Sequence, residues 1–255
     1  MNKGEHENLA RVEERLWWYQ GLRETMISTL GAQGSTLPPN PRVLDAGCGT
    51  GRNLALLETL LEPSYLGGFD LSETALDFAR VKAPQAKLRT GDICDPQLDE
   101  VDLDLIVSLD VIYIPGAERA LSGLKKLVDA LRPGGMLLLN LPAYNWLYSQ
   151  HDVALHTSER YTVGSVRRLL NELGLEISLL TYRVCLVFPL GVATRLPSMM
   201  RARPGDEEAQ SQLFYVPPDL INRTLLSTIK VENALISRGV TLPFGLSVYA
   251  SGKKR

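Results

Sequence analysis

Apolar and polar positions along this chain switch repeatedly between a helical and an extended period. Leu9, Val12, Leu16, Tyr19, Met26 and Leu30 fall on one face, which predicts a single helix over residues 5–30. Pro38-Pro39-Asn40-Pro41 reads as a linker. Five short apolar runs follow, at Arg42-Val43-Leu44, Tyr65 to Phe69, Lys87 to Thr90, Leu103 to Ser108 and Met136 to Leu139. Each reads as a strand. Helical stripes separate several of them: Asn53 to Leu57, then Ala75, Leu76, Phe78 and Ala79, then Ala117, Leu121, Leu124, Val128 and Leu131. Ser72 is placed to cap the second of these, and Pro133-Gly134-Gly135 to end the third. This alternation is that of an α/β sheet.

After the fifth run the rhythm breaks. Residues 142–161 read as a loop rich in aromatic and polar side chains. Thr162 caps a helix carrying Val166, Leu169, Leu170 and Leu173, which Gly174 ends. A sixth strand is expected at Leu175 to Leu180 and a seventh at Phe244 to Ser251. About sixty residues separate them, far more than an ordinary connection needs. Within this insert a helix is predicted from Asp219 to Arg238, stopped by Gly239. Its remaining apolar residues include Phe188, Leu190, Val192, Leu196, Met199, Met200, Phe214 and Tyr215. They suit a wall for a hydrophobic ligand, and equally a dimer interface or a small helical core.

Composition narrows the class. The chain has 255 residues, 45% of them apolar, and a net charge of −2. Its one basic run is Lys253-Lys254-Arg255, read as a solvated tail, so the concentrated basic face of a nucleic-acid binder is not expected. The three cysteines, Cys48, Cys94 and Cys185, form no C-x-x-C pair. Neither a disulfide framework nor a zinc knuckle is indicated, and a reducing, cytoplasmic setting is expected. Residues 1–30 are too charged for a signal peptide. No stretch reaches the roughly 20 apolar residues of a membrane span. The nearest, Val184 to Met200, is interrupted by Pro189, Arg195 and Pro197, which leaves peripheral membrane contact and a homodimer open.

The candidate chemistry begins at Asp45-Ala46-Gly47-Cys48-Gly49-Thr50-Gly51. Three glycines at every second position, between a strand and a helix, let the backbone pass close to a ligand. The helix start near Thr50 aims unpaired N–H groups at it. Asp45 offers a carboxylate for a ligand's amino group. Asp70, at the end of the second strand, is placed for ribose hydroxyls. A dinucleotide fingerprint needs a third glycine where this chain has Arg52, so an NAD-linked dehydrogenase is disfavoured.

The D-x-G-x-G-x-G loop instead resembles that of class I S-adenosylmethionine-dependent methyltransferases, as does L-x-P-G-G-x-L-L-L at residues 131–139. The resemblance covers roughly residues 40–183. It implies a Rossmann-like, seven-stranded, mostly parallel sheet with helices on both faces, one strand near an edge being antiparallel. It implies S-adenosyl-L-methionine as cofactor and S-adenosyl-L-homocysteine as product. Asp92 and Ile93 take the positions that hold the adenine in the family; Cys48, Asn53, Leu71 and Leu109 complete the expected cofactor contacts. The domains expected are an N-terminal helical cap (1–37), the cofactor-binding core (38–183), a helical lid or interface (184–243) and the last strand (244–255).

Two further patterns are similar to one subgroup of that family, whose members act on small metabolites, saccharide-linked lipids and other natural products. The first is P-A-x-x-x-L-W-S-x-x-D-x-x-x-x-H-x-x-R-Y. Asp152, His156, Arg160 and Tyr161 match it, while Tyr148 replaces the tryptophan. His156 or His151 could serve as general base, and hydrogen bonding within the loop, to Asp152 for example, is the alternative. Tyr144, Trp146, Tyr148, Arg160 and Tyr161 are then substrate candidates. A metal held by His151, Asp152 and His156 lacks a matching aspartate pair, so none is expected. The second pattern is E-x-x-x-W-W-Y-x-x-x-R, fitted approximately by Glu14, Trp18, Tyr19 and Arg23. It implies a cap over the cofactor, with Tyr19 or Arg23 near the methionine carboxylate and one tryptophan, Trp18, toward the substrate. Where many members carry Glu-His, this chain has Tyr113-Ile114, which suggests a more apolar acceptor end oriented by Tyr113. The expected reaction is methyl transfer to O or N, less favourably C, of a small, partly apolar or lipid-linked acceptor. The rival is a non-catalytic scaffold of the same fold.

Overall fold

The computed structural model of the chain describes residues 3–33, 37–202 and 215–255. Its sheet runs through β1 (Arg42–Ala46), β2 (Tyr65–Asp70), β3 (Lys87–Thr90), β4 (Leu103–Leu109), β5 (Leu131–Pro142), β6 (Leu175–Arg183) and β7 (Ser247–Lys254). The order is β3-β2-β1-β4-β5-β7-β6. The first five strands pair in parallel, and β7 enters antiparallel between β5 and β6. The strand order reverses at β1, so the ends of β1 and β4 splay around a crevice, the usual ligand position in such sheets.

Both faces of the sheet are buried. The helices are α1 (Lys3–Val12), α2 (Trp17–Gln33), α3 (Arg52–Leu61), α4 (Glu73–Lys82), α5 (Ala117–Ala130), α6 (Gln150–Ala154), α7 (Val163–Glu172), α8 (Phe188–Arg201) and α9 (Asp219–Ile236). On one face α5 and α7 bring Leu124, Leu127, Val166 and Leu170 against Leu44, Ile106, Leu137 and Val248. On the other, Leu22 and Met26 of α2 join Leu54, Leu57 and Leu76 against Val43, Val107, Leu138 and Tyr249. A third cluster, around Leu147, Val184, Ile229 and Leu246, ties the insert helices to Trp17 and Trp18.

Several sequence expectations change. The single helix over 5–30 breaks at residues 13–16. The backbone N–H of Trp17 donates to Oδ1 of Asn222 (2.9 Å), whose Nδ2 donates to the carbonyl of Arg15 (2.8 Å). Helix α2 is thus capped from α9, and the turn before it frees Glu13 to reach the glycine loop. The Lys253-Lys254 run is not a solvated tail: it extends β7, and Lys254 Nζ donates to the carbonyls of Asp129 (2.8 Å) and Leu131 (2.7 Å). Strand β7 starts at Ser247 rather than residue 244, and β6 runs on to Arg183. Phe214 lies outside the described residues. No described helix is long and apolar enough to cross a membrane.

Candidate active site

A cavity of about 530 Å³ opens at the ends of β1 and β4, roofed by α1 and α2 and reaching α6 and α8. Its floor is the glycine loop. Gly47 has φ +87, and a Cβ there would sit 2.4 Å from Val111 Cγ2. Gly49 has φ +53 and faces open space: a Cβ there would meet no protein atom within 4 Å. Such an opening along a loop backbone is a cradle for a ligand. Asp70 grips it, accepting from the Gly49 N–H (2.9 Å) and the Ser72 N–H (2.9 Å). Thr50 donates to Glu13 (2.8 Å), which also pairs with Lys82, and Arg23 Nη2 donates to the Glu13 carbonyl (2.7 Å). The cap is thereby fastened to the loop by charge-assisted hydrogen bonds.

Most of the expected cofactor residues line this cavity: Gly47, Cys48, Gly49, Asn53, Asp70, Leu71, Ile93, Leu109, Tyr19 and Arg23. Trp18 lines it as well, and Trp17 meets it edge-on at 5.7 Å from within the third core cluster. Asp45, Gly51 and Asp92 do not line it. Asp45 is buried, with Oδ2 lacking a hydrogen-bond partner, and burial, with Asp70 second, pushes its carboxyl up to about 8. Gly51 serves packing, since a Cβ there would lie 2.5 Å from the Ala79 Cα. Asp92 is exposed and accepts from the Cys94 N–H (2.8 Å), turning the chain so that its neighbour Ile93 reaches the cavity.

The far end contains Tyr113, His151, Asp152, His156 and Arg160. Asp152 is no free base. One oxygen accepts from Arg160 Nη1 (2.5 Å), and the other from the Ser149 N–H (2.9 Å) and hydroxyl (3.0 Å). Arg160 also donates through Nε to the Ala143 carbonyl (2.9 Å). The pair is fully buried and shapes the loop. His151 is drawn down to about 4, mainly by burial, so its ring is neutral at physiological pH. His156 stands exposed at the rim with φ +55. The remaining substrate candidates are not on the wall. Tyr161 is in the core, 1% exposed. Tyr144 stacks on Tyr182 (5.2 Å) and Trp146 (5.7 Å) outside the cavity, Trp146 is 54% exposed, and Tyr148 is half-buried but not on the wall. The apolar insert wall is also corrected. Leu190, Leu196 and Met200 are at least half exposed, and the insert's contribution to the cavity is Arg195.

Two residues were missed. Asp110 follows β4 in a left-handed conformation (φ +57), held by its N–H to the Asn140 carbonyl (2.9 Å) and by Asn140 Nδ2 to its Oδ1 (2.7 Å). Burial lifts it to about 6, against the pull of the Asn140 amide and of Arg183 and Arg160. It is therefore ionised at neutral pH. Tyr19 and Tyr113 are raised by burial and by Asp110, so both remain phenols. The position of Asp110, straight after a strand in an α/β repeat, was a usable signal. Arg195, a lone cation within an apolar run, was a weaker one.

A mostly parallel sheet with this order, a glycine cradle at the β1 end and an acid at the end of β2 define a fold for nucleotide-containing cofactors. Residues 43–135 match the family model described as a methyltransferase domain. Trans-aconitate 2-methyltransferase of Variovorax paradoxus is 34% identical over 108 residues, 42% of this chain and 40% of that protein. The tRNA (carboxymethyluridine(34)-5-O)-methyltransferase ALKBH8 of Macaca fascicularis is 29% identical over 147 residues, 56% of this chain and 21% of that protein. The chain thus spans less than half the length of these relatives. A TehB-like methyltransferase structure from Corynebacterium glutamicum superposes over the whole of both chains with a TM-score of 0.55 at 18% identity, which shows the shared fold. Residues 43–135 thus match a methyltransferase domain, in a fold shared with S-adenosylmethionine-dependent methyltransferases, which implies S-adenosylmethionine as the cofactor. The open face of Gly49 and the polar groups around the loop fit that group.

Proposed function

We propose that this chain transfers a methyl group to an oxygen or nitrogen of a small, partly apolar acceptor. The observation that carries the reading is the continuity of the cavity from the glycine cradle to Tyr113, His151 and Arg160. Bound at the cradle, the cofactor supplies an activated methyl on a sulfonium. Gly47, Gly49, Asn53, Asp70, Tyr19 and Arg23, all on the cavity wall, would hold it there. The protein's task is then alignment and proton management. Asp110, ionised near neutrality, takes the proton of an O–H or N–H acceptor. Tyr113 orients the acceptor through its phenol, and Trp18 covers the apolar part of its body. His151 contributes a neutral ring, and the Asp152–Arg160 pair keeps α6 in place.

On this reading residues 1–37 are the cap, 38–183 the core and 184–243 a lid that reaches the acceptor. The three unpaired cysteines favour a reducing cytoplasm. A cavity of about 530 Å³ favours a small molecule. The test uses methyl-labelled S-adenosylmethionine with a metabolite extract and, separately, with bulk tRNA. Label in the metabolite fraction supports the proposal. Label confined to tRNA, the acceptor type named for the Macaca relative, overturns it. Failure to bind S-adenosylhomocysteine favours the scaffold.

A further inference from the structure

The acceptor end of the cavity carries an uncompensated cation. Three charged groups act on one another there, Arg160, Asp152 and Arg195, while Asp110 on the same cavity has Arg183 and Arg160 as its charge partners. Asp152 is committed to Arg160 at 2.5 Å and to Ser149, which neutralises the Arg160 charge. His151 adds none, because burial keeps it neutral. Arg195 is left over. Its side chain comes from α8, and its Nη1 is shut off from solvent without a hydrogen-bond partner. Burial first, and the neighbouring Arg160 charge second, pull it down to about 10. The backbone holds it there: the Gln150 N–H donates to Ser198 Oγ (3.3 Å), which fastens α8 to α6.

A guanidinium nitrogen closed off from solvent with an unused donor is costly unless something accepts from it. Asp152, the acid that acts on it, is already held by Arg160 and Ser149, and the side chains of Trp18, Ile114, Leu155 and Leu246 on the cavity wall offer it no acceptor. We infer that Arg195 is the anchor for the carboxylate of an acceptor with an apolar body, the acceptor of the methyl transfer proposed above. One surplus positive charge matches a monocarboxylate. A phosphate monoester would bring nearly two negative charges to a site compensated for one. The guanidinium fork suits a carboxylate in geometry as well. The anchor lies on the insert and the glycine cradle on β1, so the acid and the cofactor occupy different ends of one cavity. The inference rests on the methyltransferase reading, and its test reports on the two separately.

The protein is loaded with S-adenosylhomocysteine and titrated calorimetrically with benzoate, octanoate and 4-phenylbutyrate, and with the primary amide of each. Wild type is expected to bind at least one acid ten times more tightly than its amide. Arg195→Gln is expected to reduce that preference below threefold, with S-adenosylhomocysteine affinity changed less than twofold. Arg195→Lys is expected to keep part of it. No acid preference in wild type overturns the inference, and that arm needs no variant. Preference that persists in a folded Arg195→Gln overturns it, and so does loss of S-adenosylhomocysteine binding in that variant, which would give Arg195 to the cofactor. Failure of wild type itself to bind S-adenosylhomocysteine strikes the methyltransferase reading instead.

Discussion

Gly49→Ala separates cofactor binding from folding. The added Cβ meets no protein atom within 4 Å, so packing costs nothing. The φ of +53 carries a backbone cost of about 1–2 kcal/mol for an L-residue. For a chain of this length that lowers the melting temperature by roughly 2–8 °C. The Cβ projects into the cradle, where it takes the space of a ligand lying against the loop. S-adenosylhomocysteine affinity is therefore expected to fall tenfold or more, about 1.4 kcal/mol at least. Gly47→Ala is the control. Its Cβ would approach Val111 Cγ2 at 2.4 Å in a backbone of φ +87, so overpacking of about 1–3 kcal/mol adds to the strain. The assay is calorimetric titration of both variants with S-adenosylhomocysteine, beside thermal unfolding without it. Gly49→Ala should lose affinity out of proportion to its small stability loss; Gly47→Ala should lose more stability. Wild-type affinity in a folded Gly49→Ala would show that the cofactor does not lie along the loop, and the assignment of the cradle would be wrong.

Other expectations follow from the same geometry. Asp152→Asn leaves Arg160 buried without its counter-charge, so denaturant unfolding should show a loss of about 3–5 kcal/mol, and Arg160→Met in the same chain should restore part of it. Asp45 titrates near 8 in the folded state, above its unfolded value, so its contribution to stability is complete below pH 4 and is lost as pH rises toward 8. Asp45→Asn should flatten that decline by an amount on the order of a few kcal/mol, measured as urea midpoints from pH 4.5 to 8.5; parallel profiles for the two proteins contradict the shift. Asp110→Asn should lower kcat by about 100-fold or more while His156→Ala stays within about threefold, and the reverse order would return the base to the rim histidine. Asn222→Ala should cost about 1–2 kcal/mol in unfolding experiments, because it removes both the cap on α2 and the bond to Arg15.

The sequence made the strands and the glycine loop legible because their determinants are local. Val43-Leu44, the three alternating glycines and Asp70 lie within thirty residues, and the chain's periodicity states how they face. What lay beyond reach depended on tertiary partners. No period in residues 5–30 announces a break at 13–16, since the cap for α2 comes from Asn222. Asp152 matches the subgroup pattern beside two base candidates, yet Arg160, eight residues on, claims its carboxylate. Tyr144 and Trp146 read as substrate aromatics from the subgroup pattern, but Tyr144 stacks on Tyr182 of β6, a pairing set by the sheet order, and Trp146 stacks on Tyr144. The terminal lysines looked like a tail because nothing near them in sequence reveals the carbonyls of Asp129 and Leu131.

The two halves of the cavity also differ in how the chain builds them. The match to the methyltransferase domain spans residues 43–135, which supply the cradle, Asp70, Ile93, Asp110 and Tyr113. Trp18, His151, Arg160 and Arg195 all lie outside it, on α2, α6, the loop after it, and α8. The proposed acceptor end is therefore assembled from segments joined to one another by the Asp152–Arg160 pair and the Gln150–Ser198 bond rather than to the cradle. Substitution there leaves the cradle's hydrogen bonds, Gly49 and Ser72 to Asp70, untouched. Asp110 is the junction, since Asn140 of β5 fixes it and it lines the same cavity as the cradle. A change in acceptor can therefore proceed through α8 and α6 at little cost to cofactor binding, whereas a change at Asp110 touches both. Arg195→Gln and Asp110→Asn thus differ in kind: the first should alter which acid is held, and the second whether any acceptor is turned over.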